Sequence, residues 1–172
     1  MGERRYERAI KLCKAMIEKL PDTEVVREGF VHEEIALACM ALGRWEEAIE
    51  AWKGYVNRSV SSGGVISALY SIAYCYNRLE MESLKIQNYV IAKRIELADN
   101  NAIKNQFNYI FEKYPYEDKK ETRYEYAVRT SVYFQNILIN NNLLQLNNEK
   151  LVNDEVAKKT EEYLKKYGIT LK

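Results

Sequence analysis

The chemistry open to this chain is limited first by its single histidine, His32, among 172 residues. Cys39 lies seven residues later on the same face of a predicted helix, and a cysteine beside a histidine could act as a thiol nucleophile with its general base. Seven residues of helix span about 10.5 Å, which is too far for a direct thiol–imidazole hydrogen bond. We therefore expect His32 to fill a core or inter-helix position with its ring hydrogen-bonded, and the cysteines to act as small apolar residues.

Neither the acidic pairs nor the glycine pair forms a catalytic pattern. Glu33-Glu34 and Glu46-Glu47 are adjacent residues, which point about 100° apart on a helix and do not converge on one substrate. We expect both acidic pairs to be solvated. Gly63-Gly64 lacks the Lys and Ser/Thr that a phosphate-binding loop needs. The sequence therefore predicts no catalytic residues and a protein that is not an enzyme.

The cysteines are odd in number and widely spaced, at Cys13, Cys39 and Cys75, with no CxxC pair. This pattern indicates neither a disulfide framework nor a zinc site, so we predict no metal and no cofactor. The first ten residues are charged and contain no apolar signal-peptide stretch. The longest weakly polar run, Gly64 to Tyr76, is too short to cross a bilayer. We expect a cytoplasmic protein with no membrane partner.

Composition narrows the class of fold and partner. Only 7 Gly and 2 Pro occur, about half their usual share, which disfavours a fold rich in hairpin turns. The chain has 26 Lys+Arg against 25 Asp+Glu, a net charge of +1, so electrostatics gives no reason to expect a nucleic acid partner. The 14 Tyr could stack on single-stranded bases, but without a basic excess that interpretation is disfavoured. We expect one compact domain over residues 1–172.

Apolar residues at helical spacing predict an all-α chain of about eight helices. The first predicted helix runs from the start of the chain to Pro21, the second from a cap at Asp22 or Thr23 to about Leu42, and the third from Trp45 to about Asn57. The fourth follows the loop Ser59–Gly64 and ends near Leu79, and the fifth then runs to about Ala98. The sixth runs from a cap at Asn100 to Pro115, the seventh from about Asp118 to Asn140, and the eighth from about Asp154 to Tyr167. Acid–base pairs at i, i+4 should support the last helix, which Gly168 closes. These pairs are Asp154–Lys158, Glu155–Lys159, Glu161–Lys165 and Glu162–Lys166.

The sequence also repeats itself at a spacing typical of helical-hairpin arrays. The stretch IALACMALG from Ile35 aligns with IAYCYNRLE from Ile72 at an offset of 37 residues, and YERAI from Tyr6 aligns with WEEAI from Trp45 at an offset of 39. Glu-Lys-x-Pro closes two predicted helices, at Pro21 and at Pro115. Periods in this range predict stacked helical hairpins.

The segment from His32 to Tyr55 resembles a tetratricopeptide repeat (TPR), whose pattern is W-x₂-L-G-x₂-Y, later A-x₃-F and then Pro. The matching residues are Ile35, Ala36, Cys39, the turn Leu42-Gly43-x-Trp45, Ala48 and Trp52. His32 departs from the expected Trp, and no Pro follows near Val60. The resemblance covers residues 4–98, and Lys85 falls where the repeat would place Ala.

The resemblance implies a right-handed stack of antiparallel helical hairpins, a TPR-like α-solenoid, with divergent helices and a C-terminal cap over residues 100–172. In this family, ligands lie along a concave surface formed by the first helix of each repeat. That surface would comprise Glu33, Leu37, Met40, Ala41, Tyr70, Tyr74, Asn77 and Arg78. We call these eight residues the predicted groove. An apolar floor with tyrosines and an Asn-Arg pair suits an extended peptide or a partner helix. The alternative is that several of these residues pack against neighbouring helices.

The sequence thus predicts a non-catalytic protein–protein interaction module, an adaptor, co-chaperone or regulatory subunit, that binds a peptide or partner segment. A second hypothesis is a structural subunit that self-associates as a homo-oligomer, or a fragment of a longer helical-repeat protein, because the first helix matches the second half of a repeat.

Overall fold

The structure, a computed structural model, describes residues 2–98 and 120–171. These residues form eight α-helices and no strand, which confirms the all-α prediction for this part of the chain. The helices are α1 (Gly2–Lys19), α2 (Glu24–Arg27), α3 (Phe30–Ala41), α4 (Trp45–Arg58), α5 (Ser62–Arg78), α6 (Glu82–Glu96), α7 (Arg123–Asn140) and α8 (Glu149–Lys165).

Helices α1 to α6 pack as successive neighbours: α1 on α3, α3 on α4, α4 on α5 and α5 on α6. The links between α3 and α4 and between α5 and α6 each have three residues, a length that joins antiparallel helices. Gly43 and Glu80 occupy the same position in these two links, with φ of 72° and 58°. The same backbone hydrogen bonds close both turns at the 37-residue offset of the sequence repeat, for example Arg44 N–H to the Cys39 carbonyl and Met81 N–H to that of Tyr76.

Small and aromatic residues together fill the core of this stack. Ala36 and Ala73, one repeat apart, are completely buried, as expected of small residues where two helices approach closely. Trp52 is also completely buried, and its indole N–H donates to the Met40 sulfur at 3.3 Å. Five residues that carry the repeat resemblance, Ile35, Ala36, Cys39, Ala48 and Trp52, are therefore core residues, whereas those of the turn are half-buried or exposed.

The second predicted helix is interrupted, which corrects the expectation of one helix reading to about Leu42. The chain forms α2 and α3 instead, and Gly29 between them has a φ of 86°. A Cβ at Gly29 would lie 3.2 Å from a ring carbon of Tyr55. The break therefore lets the backbone approach α4 closely, in a conformation that glycine adopts without strain.

Two other helix boundaries differ from prediction. Helix α5 begins at Ser62, inside the predicted loop Ser59–Gly64, because the Ser61 hydroxyl caps it by accepting from the Gly64 N–H. Helix α8 begins at Glu149, five residues before the predicted Asp154, because the Asn148 side chain accepts from the Leu151 N–H. The expectations for Asn100, Pro115 and Asp118 lie outside the described residues.

Helix α4 carries a glycine that its contact with α3 requires. A Cβ on Gly54 would collide with the imidazole of His32, which is 9% exposed. We expect Gly54→Ala to lower the free energy of unfolding by about 2 kcal/mol, because overpacking outweighs the higher helix propensity of alanine. Urea denaturation followed by circular dichroism measures this change.

The His32→Ala background is the matched control for that substitution. Without the ring, Gly54→Ala should become neutral or stabilising by up to about 1 kcal/mol, the difference in helix propensity. An equal loss in both backgrounds would contradict the assigned contact.

Candidate functional site: the α8 contact surface

Helix α8 lies over part of the predicted groove. It packs on α5 and runs antiparallel to it: Lys85 bonds both Asn153 and Asn77, near the C-terminal end of α5, while Thr160 donates to the Tyr70 carbonyl at 3.1 Å. Near its C-terminal end, the Tyr163 hydroxyl donates to Glu33 on α3, and the Tyr163 ring lies 5.9 Å from that of Trp52. The C-terminal helix thus lies on Glu33 and Tyr70, two residues of the predicted groove.

Glu155 is the central polar contact of α8. Its carboxylate accepts hydrogen bonds from the Tyr89 hydroxyl and from Lys93 at 2.9 Å, and the Tyr70 hydroxyl lies 3.2 Å away. Burial raises the pKa of Glu155, but the hydrogen bonds from Tyr89 and Lys93 and the charge of Lys93 together hold it below its ordinary value. The surface therefore favours a carboxylate at this position.

A second ion pair crosses the same interface. Lys159 donates to Glu96 at 3.2 Å, and Glu96 also accepts from the Tyr70 hydroxyl at 2.6 Å. Glu155 and Lys159, predicted to pair within α8, instead each bind a residue of α6. The predicted partner of Lys158, Asp154, bonds Lys150 at 2.5 Å. Two charged side chains of α8, Glu155 and Lys159, thus serve tertiary contacts.

The N-terminal part of α8 meets a buried lysine. The Lys85 side chain is completely buried, and its ammonium donates to Asn153 at 2.6 Å and to Asn77 at 3.3 Å. Glu82 completes the set at 2.6 Å. Together, Glu33, Tyr70, Lys85, Tyr89 and Lys93 are called the α8 contact surface below.

The eight residues of the predicted groove divide into two sets. One set is buried, Glu33, Leu37, Met40 and Tyr70, so the expectation that the Glu33-Glu34 pair is solvated is wrong for Glu33. The other is half-buried or exposed: Ala41, Tyr74, Asn77 and Arg78. Burial raises the pKa of Glu33, an effect that its hydrogen bond from Tyr163 opposes without cancelling.

Tyr74 and Arg78 both contact Trp45, a residue that is not part of the predicted groove. The Trp45 ring lies 5.9 Å from the Tyr74 ring, edge to face, and the Arg78 guanidinium lies 5.4 Å from the Trp45 ring centroid. These three residues form a partly exposed patch, called the rim below. Trp45 was visible in the sequence only as the aromatic residue of the repeat turn.

The sequence prediction also omitted Lys85, Tyr89 and Lys93 of the α8 contact surface. Lys85 did leave a signal, because the repeat places a small residue where this lysine stands. A polar side chain at such a core position requires a buried partner. Nothing in the sequence indicated that α8 supplies one.

His32 and Cys39 belong neither to the α8 contact surface nor to the rim. Burial, with a smaller effect of the nearby Arg58 charge, lowers the pKa of His32 to about 4. Burial raises the pKa of Cys39 to about 11, and all three cysteines are free and buried. The expected ring hydrogen bond at His32 is wrong for Nδ1, which has no partner among the described residues. At pH 7 the imidazole is therefore neutral, and Cys39 is a protonated thiol.

A metal-binding cluster and a membrane-spanning helix are both absent from the described ranges 2–98 and 120–171. These ranges contain no group of three His, Cys, Asp or Glu residues that could hold a metal ion. No helix in them has the length and apolar character needed to cross a membrane.

Comparison of the chain with protein-family models, curated proteins and solved structures found no match.

Proposed function

We propose that this protein is a non-catalytic, TPR-like interaction module that binds a peptide or partner segment on the concave face of its helical stack. One observation carries the proposal: α8 is held on the faces of α3, α5 and α6 by side-chain contacts to Glu33, Tyr70 and Lys93. A surface that binds one helix of its own chain has the shape and hydrogen-bonding groups for a protein segment.

The rim offers a partner its first accessible contact. Trp45, Tyr74 and Arg78 combine aromatic area with a guanidinium group, the residue types that dominate binding energy at protein interfaces. Arg78 is exposed, so it can pair with a carboxylate of an incoming segment. The proposal keeps the cytoplasm as the location, since free buried cysteines are typical of a reducing compartment.

The test compares capture of partners from native lysate by wild type and by the double variant Tyr74→Ala/Arg78→Ala. We expect the double variant to lose a captured partner by about tenfold or more, the effect of two central interface side chains. Cross-linking of that partner should locate its contact at the rim.

Tyr133→Ala/Arg129→Ala on α7 is the matched control, because it removes the same two residue types from another exposed surface. It should capture the partner as wild type does. Equal capture by all three proteins, with unchanged helicity, would contradict the proposed groove.

Self-association is the second candidate function. Exposed apolar side chains favour it: Leu12 on α1 is 64% exposed, and Val132 on α7 is 63% exposed. A mass in solution that stays at 20.2 kDa at all concentrations would count against this alternative.

A further inference from the structure

The attachment of α8 differs from that of the other helices. Its predecessor α7 packs on α6 and α4, whereas α8 packs on α5. The segment 141–148, which contains four asparagines, joins α7 to α8. A cleft of about 480 Å³ lies between α6, this segment and α8. Helix α8 is thus a tethered element on a surface made by earlier parts of the chain.

The polar part of the α8 interface is open to water at its edge. The side chains of Lys93 and Glu155 are 15% and 28% exposed, and those of Glu96 and Lys159 are 27% and 39% exposed. Water can therefore replace these two ion pairs when α8 leaves, which lowers the cost of breaking them relative to ion pairs in a dry core.

The contacting side chains form a readable pattern along α8. Glu155 supplies a carboxylate to Tyr89 and Lys93, Thr160 five residues later supplies a hydroxyl to a backbone carbonyl, and Tyr163 three residues later donates to Glu33. Between them, Val152, Val156 and Leu164 are at most 1% exposed. A ligand that satisfies the same surface needs this spacing on one face of a helix.

We infer that α8 is an exchangeable occupant, and that the α8 contact surface recognises a partner's amphipathic helix with a carboxylate, a hydroxyl and a tyrosine at the spacing of Glu155, Thr160 and Tyr163. The inference rests on the proposed function and names its ligand. Release of α8 without a replacement would leave Glu33 without its hydrogen bond from Tyr163 and Lys93 without its bond to Glu155. A matched helix restores those bonds, so exchange is favoured over opening alone.

The test uses the full chain and a fluorescent synthetic peptide of residues 149–167 as the probe. In wild type, tethered α8 competes at an effective concentration of about millimolar, so the peptide should bind weakly. In the full-length variant Glu155→Ala/Tyr163→Ala, cis docking is weakened while the α8 contact surface is unchanged. We expect the peptide to bind this variant about tenfold or more tightly than wild type, measured by fluorescence anisotropy.

Two controls fix the specificity of that result. A peptide carrying the same two substitutions should bind neither protein, and the full-length variant Glu162→Ala, changed on the exposed face of α8, should behave as wild type. If the double variant fails to fold by circular dichroism, Tyr163→Phe replaces it, because it keeps the ring and removes only the hydroxyl.

No gain in peptide binding by a folded variant would overturn the inference, whether hydrogen exchange shows α8 released or still docked. Stronger binding that the substituted peptide shares would overturn it as well, because recognition would not depend on the pattern. Either result leaves the capture test with Tyr74→Ala/Arg78→Ala to decide the proposed function separately.

Discussion

Glu155→Ala is expected to lower the free energy of unfolding by about 3 kcal/mol, because it removes the acceptor of a charged and a neutral hydrogen bond at once. Lys93 and the Tyr89 hydroxyl would lose the carboxylate between them. The loss appears as a lower midpoint in urea denaturation than that of wild type. The substitution should also accelerate hydrogen exchange more in α8 than in α3. Glu155→Gln should lose less, since the amide oxygen still accepts one bond.

The matched control for this variant lies on the same helix. Glu162→Ala removes an identical side chain from the exposed face of α8, and its effect should stay within about 0.5 kcal/mol. Equal losses at the two positions would show that the Glu155 contacts contribute nothing beyond helix propensity.

Acidification should destabilise the fold through His32 before most carboxylates protonate. The unfolded chain takes up a proton at His32 near the ordinary pKa of 6.5, whereas the folded chain does so only near its pKa of about 4. The unfolded state therefore binds more protons between these two pH values, and stability falls as pH drops through that window. The loss attributable to His32 is about 3 kcal/mol by pH 4.

His32→Asn isolates this effect, since it removes the titrating group while keeping a small polar side chain. Wild type should lose about 3 kcal/mol more than His32→Asn between pH 7 and pH 4 in urea titrations, whatever their difference at pH 7. Carboxylates such as Glu33 titrate in both proteins and cancel in the comparison. Parallel pH profiles would show that His32 is protonated equally in both states.

The repeated part of the fold was predictable because its signals are local. The 37-residue offset between Ile35 and Ile72 corresponds in the structure to two turns of identical hydrogen bonding, with Gly43 and Glu80 at the left-handed position. Glu80 shows the limit of predicting this turn from local residue preferences, because the repeat geometry places a non-glycine residue at positive φ. There, tertiary packing decides against local preference.

The helix boundaries that the sequence prediction missed have two causes, a contact with another helix and a local cap. Gly29 breaks the second predicted helix because Tyr55 of α4 lies against it. The start predicted at Asp154 is too late, because Asn148 caps α8 by accepting from the Leu151 N–H. At Gly29 the residue type was informative only together with its neighbour in the fold, whereas Asn148 is a local capping residue.

The covering of the predicted groove could not be derived from the sequence, for an electrostatic reason. Glu155 and Lys159 have the i, i+4 spacing of a solvated helical pair, which is their simplest interpretation. Their actual partners, Lys93 and Glu96, lie more than 60 residues earlier in the chain. Charge complementarity between residues so far apart in sequence produces no periodic pattern from which the contact could be predicted.

The contact between Tyr163 and Glu33 joins residues 130 apart in sequence. In an open array of repeats, each unit contacts only its neighbours, and stability is close to a sum of local terms along one dimension. Here α8 closes the array, so the last helix can form its contacts only after α3, α5 and α6 are in place. Closure of this kind raises the contact order, which slows folding. It also couples α3 energetically to the end of the chain, so a substitution near residue 33 should weaken protection of backbone amides near residue 163.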